Sequence, residues 1–311
     1  MNLIKSLLTA LFLISCGYVY AAGCDANTHL LIHFDEADTS TTIAETDCDS
    51  SGAKTITANG DVQTDSGVTK FGNTSLFDGT GDYWTLADSA DWDMFASSSG
   101  DWTVDVWIKH ANTSVSQVFI AHSEGNAKQW FIRDEFGFSG KLELRVLDNS
   151  DAGTTELAMD CTGLSDTDWH HVVVGKVGSE YGLYTDEAQC EYASTTNTLD
   201  ATGLLYIGRR IDSGDPMHMN GSMDEVHIQN SNHLSLSPQS DDSDTYTAPT
   251  VAYSAAAGST RNRLITYRRE FRKLPTGGYE RIVTKYNFIP KGWIDEETNA
   301  LRADVKHLNR S

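Results

Sequence analysis

A chain of 311 residues with a formal net charge of −21 is long enough to bury a sizeable core. Residues 1–250 carry 11 Lys and Arg against 38 Asp and Glu, which excludes nucleic-acid binding by the main domain, because phosphate contacts draw on basic side chains. Residues 251–311 reverse the balance, 12 against 6, so an acidic body that suits export or cation holding is followed by a basic tail.

Lys5, the apolar run from Leu7 to Ile14 and the small residues Ala21 and Ala22 read as a secretory signal peptide over residues 1–22, too short to span a bilayer as a helix. Two processing routes are open. Cleavage near Ala21 or Ala22 releases a soluble extracellular protein, whereas Leu13-Ile14-Ser15-Cys16 resembles a bacterial lipobox that would leave Cys16 acylated and the protein anchored to the envelope membrane. Either route leaves Cys24, Cys48, Cys161 and Cys190 in an oxidising compartment, where an even count predicts disulfides. Of the three connectivities, Cys24–Cys48 and Cys161–Cys190 are expected, the first tying the N-terminal strand to the next loop and the second closing one edge. No two of the four stand at zinc-finger spacing.

Residues 29–36 (HLLIHFDE) form a short apolar strand ending in acid, and residues 37–69, rich in Thr, Ser, Asp and Gly, read as loop and edge. The central stretch is 71–86, FGNTSLFDGTGDYWTL, with apolar and aromatic residues on either side of the turn residues Asp78, Gly79, Gly81 and Asp82. Residues 102–109 alternate strictly, Trp102, Val104, Val106 and Ile108 on one face and Thr103, Asp105, Trp107 and Lys109 on the other, a half-buried strand. Further strands are expected at 117–122, 129–133, 141–147, 169–176, 181–185, 204–209 and 223–229. Many short strands without helical crossovers predict an all-β, two-sheet antiparallel jelly-roll sandwich.

The order FGNTSLFDGTGDYWTL, DWTVDVWIK, WHHVVV, LLYIGRR and MNGSMDEVHI resembles the laminin-G-like, concanavalin A-like jelly-roll domains over residues 28 to 232. Asp186-Glu187, where such domains usually turn with Asp-Gly, and the loop from Asp212 to Met219 depart from the pattern at the rim. The domain is taken as 23–232. Residues 233–250 read as a Ser/Asp/Thr/Pro linker, and 251–311 as a basic module with a β-hairpin about Pro275–Gly278 and a terminal helix over Asp295–Asn309.

Asp224 shares strand parity with Val226 and Ile228, which puts a carboxylate on the apolar face, where it needs a partner. In such a fold the first and last strands are neighbours, so Asp35 comes near Asp224, and similar domains often carry a structural Ca²⁺; two carboxylates with backbone carbonyls suit that ion. The alternative is a hydrogen-bonded or Arg-paired carboxylate. Trp107, off the core by parity, either stacks on a sugar ring or packs under a loop. Asp82, Trp130, Arg209, Arg210 and Asp212 are the other candidate ligand contacts. Adjacent His170 and His171 face opposite ways and do not make a metal pair.

The Glu-x-Asp-x-x-Glu run of laminarinase-type glycosidases is missing, as are a nucleophile elbow, a phosphate loop and His-Glu-x-x-His. The leading expectation is a secreted or surface-displayed, non-catalytic module that binds a glycan or a surface protein. Alternatives are a structural or adhesive component of a cell-surface or virion assembly, with the basic tail (Arg261, Arg263, Arg268, Arg269, Arg272, Lys273) docking an acidic partner, and a polysaccharide hydrolase built from distant residues.

Overall fold

The computed structural model describes residues 24–49, 52–125, 127–136, 140–149, 154–211 and 217–253, and backbone alone for 265–273, 279–287, 294–295 and 300–301. The strands in chain order are β1 Thr28–Ile32, β2 Ile56–Asn59, β3 Gln63–Asp65, β4 Thr74–Asp78, β5 Tyr83–Leu86, β6 Trp102–His110, β7 Gln117–Glu124 and β8 Lys128–Glu135. There follow β9 Lys141–Asp148, β10 Thr154–Thr162, β11 Trp169–Val177, β12 Glu180–Thr185, β13 Ala188–Ser194, β14 Leu204–Ile207 and β15 Asn220–Gln229. One antiparallel sheet runs β13-β12-β11-β6-β15-β4-β3, with β1 also on β15; the other runs β10-β9-β8-β7-β14-β5-β2. This is the two-sheet jelly-roll sandwich that the strand pattern predicts.

The alternation of β6 drives the packing. Trp102, Val104, Val106 and Ile108 enter the core between the sheets with Phe77, Trp84, Phe119, Trp130 and Ile207. Two of the buried indoles find acceptors, Trp84 Nε1 on Ser75 Oγ at 2.7 Å and Trp130 Nε1 on the Trp92 carbonyl at 3.0 Å. Both expected disulfides are formed. Cys24–Cys48 brackets β1, and Cys161–Cys190 joins β10 to β13, the edge strands of opposite sheets, with Cα atoms 5.5 Å apart.

Three expectations are corrected. The first concerns β15, which is bulged. Met223 lies opposite Ile108 and Asp224 opposite Trp107, but the next partnered residue is His227, opposite Asp105. Glu225, in the left-handed region at φ 53°, is the extra residue, so Met223, Val226 and Ile228 all face the core and Asp224 faces outward. The bulge falls where β15 changes partners on its far side, from β4 (220–223) to β1 (226–229).

The second concerns residues 233–250, which do not behave as a linker, and 251–253, which continue with them rather than with the basic module. They lie on the outer face of the larger sheet, where Leu236 and Tyr246 pack on Val173 and Tyr184, and Tyr253 packs on Leu31 beside Cys24 and Cys48. Backbone bonds from Gln189 N to Asp244 O and from Tyr246 N to Glu187 O fix the segment. Its few apolar anchors outweigh a polar composition, and they bury the side of β6 expected to face water.

In the basic tail, β16 Ile265–Lys273 pairs with β17 Tyr279–Asn287, the expected hairpin. Ile294–Asp295 and Ala300–Leu301 form a short antiparallel pair where a helix was expected to begin, because they bridge each other. The signal segment, Cys16 and the hairpin turn lie outside the described residues. Among the described residues no helix is long and apolar enough to cross a membrane.

Candidate functional site

The turn between β4 and β5 needs Gly79 and Gly81, both at positive φ, and is tied down by Asp82. The buried Asp82 carboxylate accepts the backbone N–H groups of Asp78 (3.1 Å) and Asp61 (2.9 Å). Beside this turn an open cavity of about 560 Å³ is lined by Asp78, Thr80, Val115, Phe136, Met217 and His218, within the size of small-ligand sites. Phe136 is 50% exposed, the most exposed large apolar side chain among the described residues. It is nonetheless positioned: its N–H donates to Ser116 Oγ (3.1 Å), and Ser116 Oγ donates to its carbonyl (2.9 Å). The groove thus sets an exposed ring among carboxylate, hydroxyl and imidazole groups, a combination that can stack on a sugar and bond its hydroxyls.

Of the residues expected from sequence to contact a ligand, Arg209 borders the groove. Its guanidinium lies 4.5 Å from the centre of the Tyr83 ring, and its backbone bridges to the lining residue His218. Arg210 is buried, stacked 4.1 Å from the Phe131 ring with Nε donating to Gln129 Oε1, so it clamps the loop to the sheet. Asp82 is spent on the turn. Trp130 is a core residue with no face for a ligand, because its strand parity turns it between the sheets. Trp107 does point off the core but is only 7% exposed, with Lys70 Nζ 3.4 Å from its ring centre and His171 stacked at 4.6 Å. Asp212 lies outside the described residues. Phe136 escaped the sequence reading; its signal is an apolar ring in a Gly-containing turn, where no core position is due.

Asp224, in the bulge of β15, and Asp35, after β1, both hold the stretch 71–73 before β4. Asp224 accepts Phe71 N (3.1 Å) and Glu225 N (2.9 Å), and Asp35 accepts Asn73 N (3.0 Å). Gly72 permits that approach, since a Cβ there would sit 1.7 Å from Asp35 Oδ1. Burial first, then Glu225 and Asp35, push the Asp224 carboxyl up to about 8, and the two N–H bonds offset only part of this. His33 Nδ1 pairs with Glu225 Oε1 at 2.6 Å, while Glu225 Oε2 accepts Tyr253 N. Asp35 and Asp224 would offer carboxylate oxygens to a hard divalent cation, beside the His33–Glu225 pair.

The family model described as the concanavalin A-like lectin/glucanases superfamily matches residues 78–240. Among solved structures, domain 4 of an extracellular arabinanase from Geobacillus stearothermophilus, in complex with arabinotriose, shares 16% identity at a TM-score of 0.49, covering 66% of this chain and 93% of that one. The binding domains of botulinum neurotoxin serotypes G and C1 share 9% and 12% at TM-scores of 0.46 and 0.45, each covering 66% of this chain. The chain spans about half the length of those toxin domains, 48% and 49%. No curated protein matches. With its two facing antiparallel sheets and a match over half its length, the chain belongs to the concanavalin A-like lectin/glucanases superfamily.

Proposed function

We propose that the protein is a non-catalytic, extracellular glycan-recognition module whose binding site is the groove at the β4–β5 turn. The observation that carries this is Phe136, half exposed at an open cavity of about 560 Å³ with its backbone held by Ser116. Membership of a family named for lectins and glucanases supports the ligand class, and two disulfides support an oxidising compartment. Screening residues 1–311 as secreted against a glycan array, followed by calorimetry, tests it. A hit whose affinity falls at least tenfold in Phe136→Ala bears the reading out; silence across diverse glycans turns it toward the adhesive, protein-binding alternative.

The same reading assigns a structural Ca²⁺ to Asp35 and Asp224. The melting midpoint of the parent should drop on adding EGTA, and that of Asp224→Asn should not respond. A parent midpoint indifferent to Ca²⁺ removes the ion.

A further inference from the structure

At the end of the sandwich away from the groove, a short 3-10 turn, Ala90–Trp92, links β5 to the strands beyond it. His122, on β7, lies six positions from Ser116, about 20 Å along an extended strand, so it does not share the groove. Its side chain is 1% exposed. Nε2 lies 3.1 Å from the carbonyl oxygen of Gly203, which can only accept, so Nε2 carries the proton and Nδ1 the lone pair. Gly203 is needed for this contact, because a Cβ there would stand 1.8 Å from the Ser123 carbonyl. Asp88 Oδ1 also faces Nε2, at 3.3 Å.

The other nitrogen has no such partner. Nδ1 faces Asp93 Oδ1 across 3.8 Å, too far for a hydrogen bond, and both atoms are inaccessible to solvent and without any hydrogen bond. Asp93 caps the 3-10 turn, whose Trp92 carbonyl is held by Trp130 Nε1, so neither side is loose. Metal–nitrogen and metal–carboxylate bonds of roughly 2.0–2.2 Å allow one ion to bridge two atoms 3.8 Å apart. One atom each from Asp88, Asp93 and His122 lie within 4.8 Å of one another. An imidazole whose far nitrogen donates to a carbonyl is the usual arrangement of a metal-binding histidine.

We propose that Asp93 and His122 form a site for a divalent transition cation, Zn²⁺ above all, with Asp88 holding the imidazole by its far nitrogen. A mixed nitrogen–oxygen donor set favours Zn²⁺ over Ca²⁺ or Mg²⁺, which take oxygen alone. The buried Asp105 with His227 and His233 is not an equivalent site, since that carboxylate already accepts from His171, His227, His233 and Tyr253. The site is independent of the glycan reading.

The test is calorimetry of the chelator-stripped secreted protein with Zn²⁺, Co²⁺, Ca²⁺ and Mg²⁺, alongside Asp93→Asn, His122→Gln and the exposed-site variant Asp88→Asn. One equivalent of Zn²⁺ should bind, with affinity falling at least tenfold in Asp93→Asn and by less in Asp88→Asn, while their melting midpoints without metal stay within a few degrees of the parent. Co²⁺ should give visible absorption that His122→Gln abolishes. Zn²⁺ binding unchanged in folded Asp93→Asn, or no binding by the parent, overturns the proposal.

Discussion

Tyr253 Oη donates to Asp105 Oδ2 at 2.6 Å, joining the segment that follows the last sandwich strand to the central strand β6. Burial alone would raise the Asp105 carboxyl, but the imidazoles of His227, His171 and His233 outweigh it and hold the group well below its usual range. An ionised carboxylate fully inside the protein depends on every donor. Tyr253→Phe should therefore cost roughly 1.5–3 kcal/mol, the worth of a hydrogen bond to a charged group. Urea denaturation measures it, and a cost near zero would mean that the segment 233–253 does not hold β6.

Asp134 supplies a pH signature. Burial raises its carboxyl to about 6, while burial lowers the neighbouring His110 to about 4, with Nδ1 and Oδ2 3.7 Å apart. A folded value above the unfolded one means that Asp134's contribution is present below about pH 4 and lost as pH rises through 6. Asp134→Asn should thus match the parent at pH 4 and gain up to about 3 kcal/mol above pH 7, at 1.36 kcal/mol per unit. Equal stability of the two proteins at both pH values would place the carboxyl in water.

Trp107 and Phe136 separate packing from recognition. Trp107→Ala should cost roughly 3–5 kcal/mol of stability, as large-to-small changes at buried aromatics do. Phe136→Ala should leave stability within about 0.5 kcal/mol, as exposed substitutions do. Thermal melts of both variants decide; a Phe136→Ala protein that melts many degrees early would make that ring structural.

The Cys161–Cys190 bridge closes a separation of 29 residues. Replacing both with Ser should cost about 3–4 kcal/mol in the chain-entropy description. Because the bridge joins the two sheets, hydrogen exchange in β10 and β13 should accelerate before that of β6. Uniform acceleration would show that the edge does not open by itself.

The strands were legible because core demand writes itself as alternation, which β6 shows residue by residue. The bulge was not, since Glu225 carries no mark of its left-handed backbone, and one extra residue inverted the facing of Asp224. Arg210, Trp130 and Asp82 look like surface chemistry in sequence, but long-range neighbours decide whether a polar or aromatic side chain meets water. The polar run after Ser231 concealed three anchors, Leu236, Tyr246 and Tyr253, because a few apolar residues suffice when a sheet face waits for them. His122 gave no signal, since Asp93 and Gly203 reach it only through the fold.

The sharing of β15 between β1 and β4 bears on how the chain matures. Leu30 pairs with Ile228 and Ser75 with Met223, so two early strands wait for one late ribbon. A polypeptide threaded outward from its beginning would hold those edges unpaired until nearly the whole sandwich had emerged, a slow, non-local closure that invites sticking to other chains. Any truncation before residue 229 should therefore yield insoluble material rather than a smaller folded unit.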